Sequence, residues 1–466
     1  IMGVAVAVGA GIFSIGAQAA AFHAGPAVVL SFLIAGVVCG AAVMCYAEFA
    51  SMIPVAGSAY TFTYTTVGEI VAWVIGWDLI LEMLMAGSVV SKYWGVYLNQ
   101  FFELIGWNIN TNIAIGSFNF DLAPVIIVAF FTALLVMGTK IGARVDGALT
   151  ILKIAIVVFI VVVGFFYIKA ENFTPFIPPS EPAASTDGSG VSAVMEQPLW
   201  QWATGMAPSI YGVTGIISGA ALVFFAFLGF DVVATASEET INPKKNVPLG
   251  IGVGLGLIIV LYTLVAIVTT GMVSYKDLAK QSDPSLAVAF KMVGADWAAK
   301  IISLGIVIGM ATVVMVLLLG LTRVVFAMSR DGLLPRGLSH TGKHGTPVRL
   351  QIIVGVVMAL IAACCNVGIL SDMVNIGTLS AFTLVAISIP IMRKKRPDLE
   401  RSFKIPGNPW VPILIAIANL WLMVNLSVLT WIRFVVWLIV GFAIYFGYGY
   451  RHARLGAGEL EVAAQE

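Results

Sequence analysis

Apolar runs of about twenty residues, the length needed to cross a hydrocarbon core, recur along the whole chain. Twelve stand out, near residues 1–21, 26–50, 69–99, 122–139, 146–168, 213–236, 247–273, 297–328, 347–365, 371–392, 409–430 and 432–450. Polar positions gather between them, in connections with turn signals such as His23-Ala24-Gly25-Pro26 and Asn242-Pro243. The pattern predicts an all-α integral membrane protein of twelve transmembrane helices, the third and eighth long enough to tilt.

Two runs are broken by glycine at corresponding places. The first reads Val8-Gly9-Ala10-Gly11-Ile12-Phe13 and the sixth reads Phe224-Phe225-Ala226-Phe227-Leu228-Gly229-Phe230-Asp231. A helix in lipid satisfies its own backbone, so an interruption at membrane depth is tolerated only against protein or a wet cavity. Close helix packing through small residues is the competing explanation for either break alone. As a pair, one per half of the chain, they point to a solute site at the bilayer midplane. Folding the chain at the breaks makes spans one to five repeat as six to ten, with eleven and twelve appended. Because five is odd, the second set enters from the opposite side, which inverts the repeat. The expected divisions are residues 1–168 for the first repeat, 169–212 for an extracellular loop, 213–395 for the second repeat, 396–450 for the last two helices and 451–466 for a cytoplasmic tail.

Charge adds orientation. Of the 25 Lys and Arg residues, 17 fall in the connections on one side, six on the other, and Lys92 and Lys153 lie within spans. The positive-inside rule places the richer side and both termini in the cytoplasm. Composition agrees with a lipid solvent: 60% hydrophobic and 11% charged residues, with a mean hydropathy of +1.00, against roughly a quarter charged in soluble domains. A net charge of +1 says nothing about nucleic acid, no basic groove or Cys/His metal spacing supports such a partner, and none is expected. Cys39, Cys45, Cys364 and Cys365 lie in apolar runs and read as reduced, buried small hydrophobes. The chain opens on Ile1 inside an apolar run, from which an N-terminal segment is expected to be missing. The 169–212 connection is rich in Pro, Ser, Ala and Gly and reads as an irregular loop, with Trp200 and Trp202 at the headgroup level. Residues 275–297 are the second sizeable outer connection, with room for short helices.

Helix N-termini carry partial positive charge and free N–H groups, so the Gly9–Gly11 break suits a carboxylate. Unwound carbonyls near Phe225 and Leu228 suit an ammonium group. An α-amino acid carries both. Phe225 and Phe227 either lid such a pocket or simply pack. Lys153 lies about eight residues into the fifth span, roughly 12 Å from its cytoplasmic end at helical rise. Intramembrane ionisable groups usually mark coupling-ion routes, and snorkelling from that depth is strained. An ammonium there also replaces a sodium ion between helices. Asp78 and Glu82, spaced i,i+4, share one face of the third span, as part of a proton path or beside a polar crevice. Asp231 ends the second break, where it caps or orients its helix. Glu48 is expected to pair with the inner loops, Lys92 to snorkel outward, and Thr312 to contact Lys153 or bond its own helix carbonyls.

These residues resemble the amino acid–polyamine–organocation superfamily, in particular its cationic amino acid transporter branch and that branch's bacterial relatives. The motifs that carry the resemblance are Gly9-Ala10-Gly11-Ile12-Phe13, Tyr46-Ala47-Glu48-Phe49 with Pro54-Val55-Ala56-Gly57-Ser58-Ala59-Tyr60, and Thr66-Val67-Gly68-Glu69 with Gly76-Trp77-Asp78-Leu79-Ile80-Leu81-Glu82. Downstream stand Phe227-Leu228-Gly229-Phe230-Asp231 with Glu238-Glu239 and Asn242-Pro243, and Met328-Ser329-Arg330-Asp331-Gly332-Leu333-Leu334-Pro335. The resemblance implies a leucine-transporter-type fold of 5+5 inverted repeats plus two C-terminal helices, with helices 1 and 6 unwound. It implies the substrate carboxylate at Gly9–Gly11, the ammonium at the carbonyls around Phe225, Ala226 and Leu228, and Phe225 as the inner aromatic gate. It also places Lys153 where sodium-coupled relatives hold an ion, which implies proton-driven or exchange transport. The expected substrate shell is Val6, Ala7, Gly9, Ala10, Gly11, Phe225, Ala226, Phe227, Leu228 and Gly229. The expected proton-coupling set is Lys153, Glu82, Asp231 and Thr312.

The stretch of span eight expected to face the ligand, 313–319, is wholly apolar, and apolar linings discriminate against charge through desolvation. The expected activity is therefore proton-coupled uptake of small or medium neutral L-amino acids, alanine-like ligands first, unless Asp78 or Glu82 reaches the pocket. The alternatives are an exchanger of amino acids or amines, a transporter of arginine or lysine, and a non-transporting sensor. The four histidines offer no nucleophile–base or metal constellation at membrane depth, so neither an enzyme nor a metal or organic cofactor is expected. The expected location is the cell membrane, as a monomer or homodimer, with room for a small single-span subunit.

Overall fold

The computed structural model describes residues 7–9, 11–52, 60, 63–64, 68–107, 109, 111–115, 118–138, 143–183, 193–229, 242–281, 283–342, 346–397, 401 and 403–453. The chain is predominantly helical, and its principal helices follow the apolar runs. Helix α1, residues 11–24, is a succession of π-helical Gly11–Ile15, α-helical Gly16–Ala19 and π-helical Ala20–Ala24. It stops at Gly25, whose φ of 60° lies in the left-handed region and is followed by Pro26. Then come α2 (Val28–Met52), α3 (Glu69–Leu104), α4 (Leu122–Val136), α5 (Ala143–Phe165) and α6 (Gly212–Val223). The second half holds α7 (Pro243–Met272), α8 (Asp296–Arg330), α9 (Val348–Cys364), α10 (Val367–Lys395), α11 (Trp410–Met423) and α12 (Val428–Ile444).

Seven helical stretches of the described residues are long and apolar enough to cross a membrane, with 11–49 taken as one stretch, and four more apolar helices are shorter. At 36 and 35 residues, α3 and α8 reach roughly 50 Å at helical rise, well beyond a 30 Å core. The run expected over 409–430 ends early, at Met423. The turn before α12 is held by Ser427, whose hydroxyl caps the Thr430 amide.

The connections hold more order than their composition suggests. Asn112–Ile115 pairs antiparallel with Phe118–Asp121, and Glu181–Pro182 pairs with Ser209–Ile210. The expectation of an all-α chain is corrected to that extent, because short pairings satisfy backbone that the connecting loops would otherwise leave to water. Short helices Tyr275–Leu278 and Leu286–Met292 occupy the connection between α7 and α8. Trp200, expected at the headgroup level, has a partner within the protein: its indole N–H donates to Asn425 Oδ1 at 2.8 Å, tying the long loop to the α11–α12 turn.

Glycines set the closest helix approaches. On α3, Gly76 faces Met328 of α8, and Gly87 faces Met358 of α9 and Leu317 of α8. On its other side, Trp77 of α3 stacks on Trp437 of α12 with ring centroids 4.4 Å apart and donates to the Trp437 carbonyl at 2.9 Å.

At one end of the bundle Glu48 is fully buried. It accepts from Arg393 Nε at 2.8 Å and Nη2 at 2.6 Å, and from the Ile405 amide at 2.9 Å. The pairing expected of Glu48 is thus made by α10 and the segment that follows it. Removing one partner of a buried pair strands the other charge. Glu48→Gln is expected to lower stability by about 3 kcal/mol, read as a drop in the detergent unfolding midpoint. An unchanged midpoint would show that the cluster is energetically idle.

Candidate functional site

The first break is seen at Val8 and Gly9, which lie outside regular helix before the π-helical start of α1 at Gly11. In the second, α6 ends at Val223 and tightens into a 3-10 turn over Phe224–Phe227. Leu228 is then extended, with φ −68° and ψ 153°, and Gly229 takes φ 109°, which favours glycine. Val6, Ala10 and Asp231 lie outside the described residues.

The two breaks meet. A Cβ on Gly11 would come within 2.6 Å of Ala226 Cβ and nearer still to its Cα. Only a residue without a side chain lets the unwound strands touch at that point. Ala7, Gly9, Gly11, Phe225, Ala226 and Phe227 are buried, and Leu228 and Gly229 close the turn beside them.

Carbonyls freed by unwinding must find donors in hydrocarbon. Tyr262 of α7 donates to the Ala7 carbonyl at 2.6 Å, and Tyr97 of α3 donates to that of Phe13 at 2.5 Å. Asn375 of α10 donates to the Leu222 carbonyl at 3.1 Å, and the Cys39 thiol reaches the Phe227 carbonyl at 3.7 Å. The Gly9 carbonyl keeps a 3.5 Å bond from the Phe13 amide, and the Phe225 carbonyl one of 3.2 Å from that of Leu228. Phe227 is wedged between Phe32 of α2 and Tyr262, at centroid distances of 6.2 and 5.4 Å. Packing, one of the two roles considered for Phe227, is therefore filled. Tyr97, Tyr262 and Asn375 go unremarked in the sequence, where Cys39 reads only as a buried small hydrophobe. The signal was there for the tyrosines: a phenol inside an apolar helix needs an acceptor for its hydroxyl.

Lys153 is 2% exposed in α5. Its methylenes lie across Gly309 of α8, where a Cβ would sit 3.0 Å from Lys153 Cγ. One turn away, Gly305 accepts Ile156 in the same manner. The Thr312 hydroxyl donates to the Gly309 carbonyl of its own helix at 3.0 Å, so Lys153 and Thr312 converge on Gly309. Glu82 and Asp78 are both buried in α3. Near Asp78, the helix backbone lies against Gly377 of α10.

Lys92, expected to snorkel outward, donates from its ammonium to the Ala362 carbonyl near the end of α9 at 3.1 Å. One expectation is corrected. Cys39 and Cys45 are buried as expected, but Cys364 is exposed and Cys365 half-buried, because α9 ends there. Among the described residues no group of His, Cys, Asp or Glu is arranged to hold a metal.

Comparison with known proteins adds relatives to this geometry. The amino acid permease family profile matches residues 1–446. The chain is 40% identical over 463 residues to the methylthioribose transporter of Bacillus subtilis, covering 98% of this chain and 93% of the relative. It is 40% identical over 465 residues to a branched-chain amino acid permease of the same organism, covering 98% and 92%. A vacuolar cationic amino acid transporter 2 of Arabidopsis thaliana is 36% identical over 404 residues, 85% of this chain and 59% of that protein.

Replacing Gly11 by Ala is expected to abolish ligand binding, because the added methyl must push the two breaks apart. Tyr262→Phe leaves the Ala7 carbonyl without its hydroxyl partner and is expected to cost about 1–3 kcal/mol. Ligand-binding isotherms and thermal unfolding of monodisperse protein check both. Wild-type affinity in Gly11→Ala would show that the contact is packing alone.

Proposed function

This chain belongs to the amino acid permease family, and we propose that it is a secondary active transporter taking up neutral L-amino acids by alternating access, driven by protons. The observation that carries the proposal is the meeting of the two broken helices at Gly11 and Ala226. The α-carboxylate binds at the amides of the Gly9–Gly11 break and the α-ammonium at the carbonyls around Phe225, Ala226 and Leu228, with Phe225 as the inner lid. Val6, Ala7, Ala10, Phe227 and Gly229 complete the shell. Twelve transmembrane helices form the two inverted repeats and the added pair, and both termini face the cytoplasm.

The position of α10 supports a neutral substrate. Asn375 reaches α6 while Gly377 receives α3. Two residues are about 200° of helix, so these contacts lie on nearly opposite faces. Phe382, seven residues on from Asn375, faces Phe224 of α6 on the same side. Helix α10 thus stands between the backbone around Asp78 and the second break, which keeps that part of α3 away from a substrate side chain. Val313, Val314, Leu317 and Leu318 of α8 are buried and apolar. The branched-chain permeases among the relatives, which include one from Lactococcus lactis at 31% identity, extend the range from alanine to leucine-sized side chains.

Lys153 is the proposed coupling residue, with Glu82, Asp231 and Thr312 along its route. Its ammonium occupies a position that a metal cation would otherwise fill between α5 and α8, and its charge changes with protonation. Substrate exchange is the second reading, because the same architecture serves it.

Uptake of labelled alanine, leucine and arginine into proteoliposomes, with and without an inward proton gradient, separates these readings. The neutral amino acids are expected to accumulate with the gradient. Lys153→Ala is expected to abolish accumulation while retaining binding within about a few-fold, since the lysine touches the coupling ion and not the ligand. Uptake that ignores the gradient and requires internal amino acid would replace symport with exchange. Arginine outrunning alanine would overturn the neutral assignment.

A further inference from the structure

Between α8 and α9 the chain forms a surface pocket of about 750 Å³, lined by Arg336, Ser339, His340, Val348 and Arg349. Both guanidiniums are exposed, and among the described residues neither is in an ion pair. The pocket does not touch the broken helices, and nothing in the transport reading uses it.

Arg349 lies one residue into α9, and the residues above it along the same face are Ile352, Ile353, Val356, Val357 and Leu360, which are 47, 49, 52, 38 and 54% exposed. Steps of three and four place them in one stripe rising from Arg349. From residue 349 to 360 the helix rises roughly 16 Å, about half of a 30 Å hydrocarbon core and so the depth of one leaflet. A soluble anion would use the guanidiniums alone. A molecule with an anionic head and an acyl chain one leaflet long would use both parts. The two exposed cations also separate this face from an ordinary lipid-facing helix surface, since basic pockets between membrane helices bind anionic headgroups.

We propose that this pocket and stripe form a binding site for an anionic phospholipid, with the phosphate held by Arg336 and Arg349 and one acyl chain laid along Ile353, Val356 and Leu360. The site is independent of the substrate and of the coupling ion.

Native mass spectrometry of detergent-purified protein tests this directly, with phosphatidylglycerol and phosphatidylcholine titrated in separate arms and glycerophosphoglycerol in a third. Phosphatidylglycerol is expected to be retained in preference to phosphatidylcholine. The soluble headgroup is expected to compete poorly. Arg336→Gln with Arg349→Gln should weaken phosphatidylglycerol binding roughly thirty-fold, at about 1 kcal/mol per basic residue near a membrane surface. Lys394→Gln with Arg451→Gln removes two exposed charges elsewhere and should leave that preference intact. Ile353→Asn with Leu360→Asn should weaken lipid binding while retaining a monodisperse elution profile. Equal retention of both lipids, or equal loss with the two charge-pair variants, would overturn the proposal. So would a soluble headgroup that competes as well as the lipid, since it would show a site for free phosphoesters only.

Discussion

A carbonyl or amide with no partner costs several kcal/mol in hydrocarbon, and a broken helix at membrane depth leaves several of them. Everything around the two breaks answers to that cost. Tyr262, Tyr97 and Asn375 supply donors from three different helices, each to a backbone oxygen beside a break. The contact of Gly11 with Ala226 removes water from the remaining backbone by letting two unwound strands lie together. Such an arrangement is stable only as a whole: move one helix and its neighbours lose the donors that make unwinding tolerable. Backbone groups prepared in this way are also what a zwitterion can use, because its carboxylate and ammonium offer the same hydrogen-bonding partners that water would.

The contacts divide unequally among the helices. Phe227 and Tyr262 pack on Phe32, Gly36 of α2 lies against Ile259 and Phe227, and the Ser31 hydroxyl donates to the Ile216 carbonyl at 2.7 Å. These interactions bind α2, α6 and α7 into one group, which Gly16 of α1 joins against the Phe32 ring. A second group forms about α3 and α8, through Gly76 with Met328, Gly87 with Leu317 and Gly320 with Met83. Helix α10 touches both, through Asn375 and through Gly377. The Glu48–Arg393 cluster adds a link between α2 and α10 at the end of the bundle.

The apolar pattern made the helices legible, since lipid imposes length and composition on each span regardless of its neighbours. The glycine interruptions were legible for a related reason, as backbone defects that lipid forbids without compensation. The compensating residues were harder to read. Asn375 and Cys39 act on carbonyls 153 and 188 positions away, and no local period records such a pairing. The carbonyl that Lys92 reaches near the end of α9, 270 positions away, is equally invisible in its own segment. Cys364 and Cys365 misled for a different reason: they sit in an apolar run, but that run ends at them. The hairpin at 112–121 escaped notice because its strands are four residues long.

Lys153 joins these strands of the argument. The lysine stem lies directly against Gly309, with Cγ, Cδ and Cε all beside it, so its methylenes run along α8. The same carbonyl-bearing turn of α8 is occupied by the Thr312 hydroxyl. On the proposed reading, a proton gained or lost there changes the charge between α5 and α8, while the ligand sits at the broken backbone of α1 and α6. Coupling between them then requires that the two groups of helices share an interface whose energy depends on that charge. The Tyr97 bond to Phe13 is one such contact, since it runs from α3 to the first break. Proton and substrate act on the same equilibrium when each favours one arrangement of the two groups, and neither needs to touch the other.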